Sequence, residues 1–175
     1  MVRNKQIVAL ICCRGRSKGI VNKNIKKFSG KPLLAWIIEE AKKTKIFDKV
    51  ILSTDSKNIA KVGKYYGAYV PGLRPKMLAT DNSNVFDTHK YIFSKLNYTD
   101  DNSYICVLNN NPFINAFLIK KGFQISKKNK YNCIVLDSQK TRSDCIYYRQ
   151  MKMKKKKIGS SLSNRVRKIR DKSTI

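Results

Sequence analysis

The sequence predicts an α/β protein with a doubly wound, mostly parallel sheet, and three observations carry that expectation. An unbroken apolar run, Ile7 to Cys12, empties into a Gly-rich basic loop, as a strand buried on both faces does. Further apolar runs of strand length follow at Val50 to Ser53, Tyr104 to Leu108 and Cys133 to Leu136. Between them, apolar residues recur at three- and four-residue steps, the period of a helix with one buried stripe. Alternation of this kind places helices on both faces of a parallel sheet.

The first strand leads into Cys13-Arg14-Gly15-Arg16-Ser17-Lys18-Gly19, then Ile20 to Asn24. Pro32 suits a first helical position, and Leu33, Leu34, Ile37, Ile38 and Ala41 form the buried stripe that follows. Lys42, Lys43 and Lys45 end that segment, where the macrodipole favours cations. Trp36 falls off the stripe and reads as a packing residue. After the second strand, Asp55 or Ser56 can cap a helix with Ile59, Ala60, Val62 and Tyr66 on its apolar side. Gly67 then stands where a left-handed C-terminal residue is expected.

Tyr69-Val70 reads as a short strand, and Pro71-Gly72-Leu73-Arg74-Pro75 as an extended turn-rich loop. Arg74, between Leu73 and Pro75, is expected to be held rather than free. Asp81 or Ser83 can cap the next helix, with Val85, Phe86, Ile92, Phe93 and Leu96 as its apolar face. His89, the only histidine, reads as a packing or surface residue. Asn109-Asn110-Asn111-Pro112 follows the third strand, and Phe117, Ile119, Phe123 and Ile125 give a weaker helical pattern.

The chain of 175 residues suits one domain with one core. Its expected limits are a nucleotide-binding α/β domain over 1–137 and a basic tail over 138–175. From Lys140 onward, Lys and Arg face only Asp144 and Asp171, a composition poor in core-forming residues. Over the whole chain, 38 Lys+Arg against 11 Asp+Glu give +27, a field that favours polyanions. Scattered lysine use explains the same charge without any polyanion. The five cysteines show no CxxC pair and no metal spacing, which suits a reduced, cytoplasmic setting. No window reaches the roughly 20 apolar residues of a membrane span.

The first loop carries the chemistry. Gly15 and Gly19 let backbone approach an anion, and consecutive amides can form an anion-binding concavity. Arg14, Lys18 and Lys23 add cations, and Asn24 an uncharged hydrogen-bonding group. The spacing matches neither the Walker A loop nor the dinucleotide GxGxxG.

The string Arg14-Gly15-x-Ser17-Lys18-Gly19-Ile20-x-x-Lys23-Asn24, then Gly30-Lys31-Pro32-Leu33, resembles the CMP-sialic acid synthetases (acylneuraminate cytidylyltransferases). Phe47 to Val50, Ser53-Thr54-Asp55, Tyr66-Gly67-Ala68 and Leu73-Arg74-Pro75-x-x-Leu78-Ala79-Thr80-Asp81 extend the resemblance over residues 5 to 97. It implies a Rossmann-like fold of the nucleotide-diphospho-sugar transferase type. It also implies transfer of CMP from CTP to a nonulosonic sugar acid, with pyrophosphate leaving. Arg14, Lys18 and Lys23 would neutralise the triphosphate, with Gly15, Ser17 and Gly19 cradling it. Arg14 and Asn24 match the family's nucleotide contacts, and Arg74 and Ser83 its other substrate contacts. Mg²⁺ is implied as cofactor, but the C-terminal Asp-x-Asp pair that holds it in the family has no counterpart in this chain.

Other departures are Arg16, where the family has a second glycine, and Leu108-Asn109-Asn110-Asn111-Pro112, where it has Gln-Pro-Thr-Ser-Pro. The family's glutamine aligns with Leu108, or with Asn109 after a one-residue gap. Asn164-Arg165-Val166-Arg167 is a faint echo of the arginine-rich catalytic stretch. The resemblance also admits a homodimer built through residues 138–175. The alternative is an impaired homologue that binds nucleotide or nucleic acid without chemistry, although only Tyr147 and Tyr148 offer stacking surfaces in the tail.

Overall fold

The computed structural model describes residues 5–17, 19–99, 102–128, 133–138 and 146–147. In chain order the elements are β1 (Gln6–Cys12), β2 (Lys27–Phe28), β3 (Lys31–Pro32), α1 (Leu33–Lys43), β4 (Lys49–Ser53) and α2 (Lys57–Tyr65). A 3₁₀ turn (Lys76–Leu78) precedes α3 (Val85–Lys95), β5 (Ser103–Leu108), α4 (Ala116–Lys128), β6 (Cys133–Ser138) and β7 (Ile146–Tyr147).

The main sheet runs β4-β1-β5-β6-β7. β1 pairs in parallel with β4 and with β5, β5 pairs in parallel with β6, and β7 closes the edge antiparallel. All four strands predicted from apolar runs are present. The short β2–β3 ribbon is present as well and was not predicted.

Alternate residues of the buried strands face opposite layers. Ala9, Ile11, Leu52, Cys106 and Leu108 pack with Leu34, Ile37, Ile38 and Ala41 of α1, Ile59 of α2 and Ile119 of α4. Val8, Leu10, Ile51, Ile105 and Val107 pack with Ile92 and Phe93 of α3. Helices therefore cover both faces, as the alternation of elements predicts. Truncating one such fully buried Leu or Ile to Ala costs about 2–5 kcal/mol, because a cavity remains.

Several local expectations shift by a residue or two. Pro32 lies one position before α1 with an extended ψ of 139° and pairs with Lys27 in the ribbon. Ser56, not Asp55, caps α2 by accepting from the Ile59 N–H at 3.4 Å. Asn84, not Asp81 or Ser83, caps α3 by accepting from the Phe86 N–H at 2.9 Å. Val85 opens α3 but faces solvent rather than the core. Tyr69 forms only a single parallel bridge to Ile51. Gly67 adopts φ +88°, the left-handed C-terminal position expected of it. Trp36 packs edge-on to Phe28 and donates its indole N–H to the Phe28 carbonyl at 3.0 Å.

No helix among the described residues is long and apolar enough to cross a membrane. Of the segment 138–175, Ser138 and Ile146–Tyr147 are described, as strand. The remainder of the expected basic tail, with Asn164 to Arg167 and Tyr148, lies outside the described residues.

Candidate functional site

In this strand order the chain leaves β1 toward β4 on one side and later returns to β5 on the other. The carboxyl ends of β1 and β5 thus border the switch point, where open α/β sheets form a crevice. A cleft of about 650 Å³ lies there, lined by residues 12–14, 16, 17, 23 and 24 from the first loop. Its other walls are Leu33, Arg74, Leu78, Thr80, Ser83, Val85 and Thr88, and the run Asn109 to Pro112.

The first loop is built on the end of β1. Cys13 continues the ladder, its N–H donating to the Ser53 carbonyl at 2.9 Å. The Gly15 N–H donates to Asp55 Oδ1 at 2.8 Å. A Cβ on Gly15 would stand 3.1 Å from the Ser56 Cβ, so this turn presses on the start of α2 and only glycine fits without a shift. Gly19 has open space around it and is exposed. Asn22 takes φ 53°, a region asparagine tolerates, and the turn it starts brings Lys23 to the cleft wall.

Asn24 is buried and engaged at both ends. Its Nδ2 donates to the Arg14 carbonyl at 2.9 Å, and its Oδ1 accepts from Asn110 Nδ2 at 2.8 Å. It ties the loop after β1 to the loop after β5. Asn110 Oδ1 is itself buried with no partner among the described residues, a bare acceptor on the cleft wall. Leu108 is a core residue, so of the two alignments left open by sequence only Asn109 places a polar side chain at the cleft.

The cations are held in different ways. Arg14 pairs with Asp81 at 2.7 Å and donates to the Thr80 carbonyl at 3.3 Å. Arg74 is buried, as its flanking residues predict, and donates from Nη1 to Thr88 Oγ1 at 3.3 Å. Its Nη2 stands 3.6 Å from Asp55 Oδ1, and its Nε has no partner among the described residues. Lys23 is exposed. Lys18, the remaining predicted cation, lies outside the described residues.

Arg14, Ser17, Lys23, Asn24, Arg74 and Ser83 therefore converge on one cleft. Gly15 sits behind the wall. Ser83 is free of capping duty and donates to the Thr80 carbonyl at 2.7 Å. Sequence reasoning missed Asp55, Thr80, Thr88 and Asn110. The Asn109–Asn111 run at the carboxyl end of a buried strand was a usable signal. Asp55 was masked by its resemblance to a helix cap.

The titratable groups narrow the chemistry. Burial pushes the Cys12 and Cys13 thiols up to about 12, so neither is a thiolate nucleophile near neutral pH. His89 is buried between the rings of Phe86 and Phe93. Burial first, and the Arg74 charge second, lower it to about 4, so it stays neutral in α3 as a packing residue.

The described residues do not form a divalent-metal site. They contain no group of three His, Cys, Asp or Glu side chains placed to hold an ion, and the carboxylates beside the cleft, Asp55 and Asp81, each face an arginine.

A model of the cytidylyltransferase family matches residues 8–171. The N-acylneuraminate cytidylyltransferase of Escherichia coli O18:K1:H7 is 37% identical over 131 residues, 74% of this chain and 30% of that protein. The CMP-N,N'-diacetyllegionaminic acid synthase of Legionella pneumophila is 36% identical over 124 residues, 70% of this chain and 53% of that protein. Among solved structures, CMP:2-keto-3-deoxy-manno-octonic acid synthetase complexed with CTP superposes with a TM-score of 0.61 at 16% identity. That match covers 72% of this chain and 49% of the other and bears on the fold alone. The chain spans between about a fifth and about half the length of the curated relatives it matches.

Proposed function

The chain belongs to the cytidylyltransferase family, and from that premise we propose that it transfers CMP from CTP to a sialic-type nonulosonic acid. The acceptor's hydroxyl oxygen attacks the α-phosphorus. A new P–O bond forms, the bond from the α-phosphorus to the oxygen shared with the β-phosphate breaks, pyrophosphate leaves, and the hydroxyl proton is released to water. Such transfer depends on positioning and charge neutralisation more than on covalent participation by the protein.

The observation that carries this reading is the convergence of Arg14, Lys23 and Arg74 on a cleft at the carboxyl ends of β1 and β5. Arg14 and Lys23, joined by Lys18, neutralise the triphosphate, and Ser17 and the loop that ends at Gly19 enclose it. Arg74 and Ser83, on the opposite wall with Thr80 and Thr88, hold the other part of the nucleotide or the acceptor. Asn24 acts by fixing Arg14's backbone and Asn110. Mg²⁺, implied by the family, would supply charge neutralisation at phosphate oxygens, beyond what the described residues offer.

The same reading assigns residues 1–137 to nucleotide binding and 138–175 to a basic tail through which two copies associate as a homodimer. The free thiols of Cys12 and Cys13 support a reducing, cytoplasmic setting.

The test is pyrophosphate release from the purified chain with CTP, Mg²⁺ and a panel of nonulosonic acids. Release that requires both CTP and the sugar acid is the expected result. CTP binding without release from any acceptor, in a chain folded by circular dichroism, would replace this reading with the binding module. Equal binding of all polyanions, lost steeply with salt, would remove the cleft from the account.

A further inference from the structure

We infer that Asp55 is the positioning residue of the first loop: it sets the backbone that meets the phosphates without touching them. The inference rests on the proposal that this loop binds CTP. Asp55 Oδ1 accepts from the Gly15 N–H at 2.8 Å and stands 3.6 Å from Arg74 Nη2. Only the first distance is a hydrogen bond; the second is charge proximity. One carboxylate oxygen thus fixes the loop after β1 and neutralises the buried arginine on the opposite wall.

The end of β4 places Asp55 for this. Thr54 is buried, and its carbonyl accepts from the Arg74 N–H at 2.8 Å. The Ser56 N–H donates to Thr54 Oγ1 at 3.2 Å, and Ser56 takes the cap of α2. Asp55 is left free to turn toward Gly15, whose missing side chain lets the two segments touch. A carboxylate behind an anion site opposes the anion it serves, and the adjoining Arg74 offsets that charge. The structural requirement is therefore an acceptor at position 55 more than a negative charge.

It follows that the Gly15 N–H is engaged before any ligand arrives. The amides available to an anion begin beyond it, toward Ser17.

Two variants separate the acceptor from the charge. Asp55→Asn keeps an oxygen for the Gly15 N–H, and Asp55→Ala removes it. By calorimetry, Asp55→Asn should bind CTP within about threefold of the unaltered chain, because the acceptor for the Gly15 N–H is kept. Asp55→Ala should lose about tenfold or more, the range for a missing hydrogen bond that positions the loop. Equal losses in both variants, or a fall in melting temperature with CTP affinity unchanged, would overturn the proposal.

Amide exchange of the unaltered, nucleotide-free chain gives an independent reading that survives if Asp55→Ala does not fold. The Gly15 amide should already be protected, and its resonance should shift less on CTP addition than that of Ser17. Fast exchange at Gly15 would overturn the positioning role. A protected Gly15 in a chain that does not bind CTP would leave Asp55's hold on the loop standing and remove the nucleotide reading instead.

Discussion

Arg14 and Arg74 both line the cleft and both face a carboxylate, yet water reaches the two pairs very differently. Arg14 and Asp81 meet at 2.7 Å with side chains 35% and 47% exposed. Arg74 and Asp55 stand 3.6 Å apart at 5% and 20%. Distance alone ranks the first pair as stronger. Burial reverses the ranking, since an exposed pair contributes about 0–1 kcal/mol, whereas removing one partner of a buried pair costs about 3–5 kcal/mol. On the proposed reading, Arg14 is an exchangeable donor that an incoming phosphate takes from Asp81. Arg74 belongs to the frame of the site.

The sharpest way to break this contrast is Arg74→Ala. It should destabilise the chain by about 3 kcal/mol, the lower figure for a pair whose carboxylate is partly wet. Thermal unfolding should then fall by roughly 6–12 °C, at 2–4 °C per kcal/mol for a chain of this size. A shift smaller than about 2 °C, the effect of an exposed pair, would place Arg74 with Arg14.

His89, beside Arg74, sharpens the buried side. Its folded value near 4 lies below the ordinary 6.5, so only the unfolded chain takes up the proton between those values. Stability is fully present above about pH 6.5 and is lost as pH falls toward 4, by about 3 kcal/mol at 1.36 kcal/mol per unit. His89→Phe, which suits the edge-on contact with Phe86 and the stack on Phe93, should flatten that slope in urea titrations from pH 4 to 7. An unchanged slope would assign the acid sensitivity to another group.

On the wet side, Lys23→Ala should weaken CTP binding by about thirtyfold, or about 2 kcal/mol for a charge-assisted contact. Lys26→Ala, just outside the cleft, should change it less than about threefold, as a solvated charge does. Equal small losses in calorimetry would mean that CTP senses only the general field.

The smallest effect is expected at Asp81→Asn. Stability should move by less than about 1 kcal/mol, while CTP affinity should rise about threefold, since Arg14 no longer has to be released. A fall in affinity would show that Asp81 aims Arg14 rather than competing for it.

The split between wet and buried pairs also marks what could be read in advance. Strands and helix stripes were legible because β1, β4 and β5 are uninterrupted apolar runs, and α1 keeps its three- and four-residue period. The cations of the cleft were legible because Arg14 and Lys23 lie within one short loop and Arg74 is pinned between Leu73 and Pro75. Capping was legible only in kind: Asp55, Ser56, Asp81, Ser83 and Asn84 are all competent caps, and tertiary partners decide among them. Asp55 goes to Gly15 and Asp81 to Arg14, which leaves Ser56 and Asn84 for the helices. The Asn24–Asn110 bond joins residues far apart in the chain, and local pattern carries no information about such a pair.

That bond has a consequence for how the chain assembles. β1 is the first strand made, but it lies inside the sheet, with Gln6 opposite Ser103 and Ile11 opposite Leu108. Contacts of such long sequence separation close late, because the chain entropy of the intervening loop opposes them. The first loop therefore waits, its cations exposed and its Asn24 unmatched, until β5 emerges and docks. A chain interrupted before Ser103 would carry every cation of the cleft and still lack its floor. Competence to hold an anion should thus arrive in a single late step during synthesis, together with the closing of the sheet.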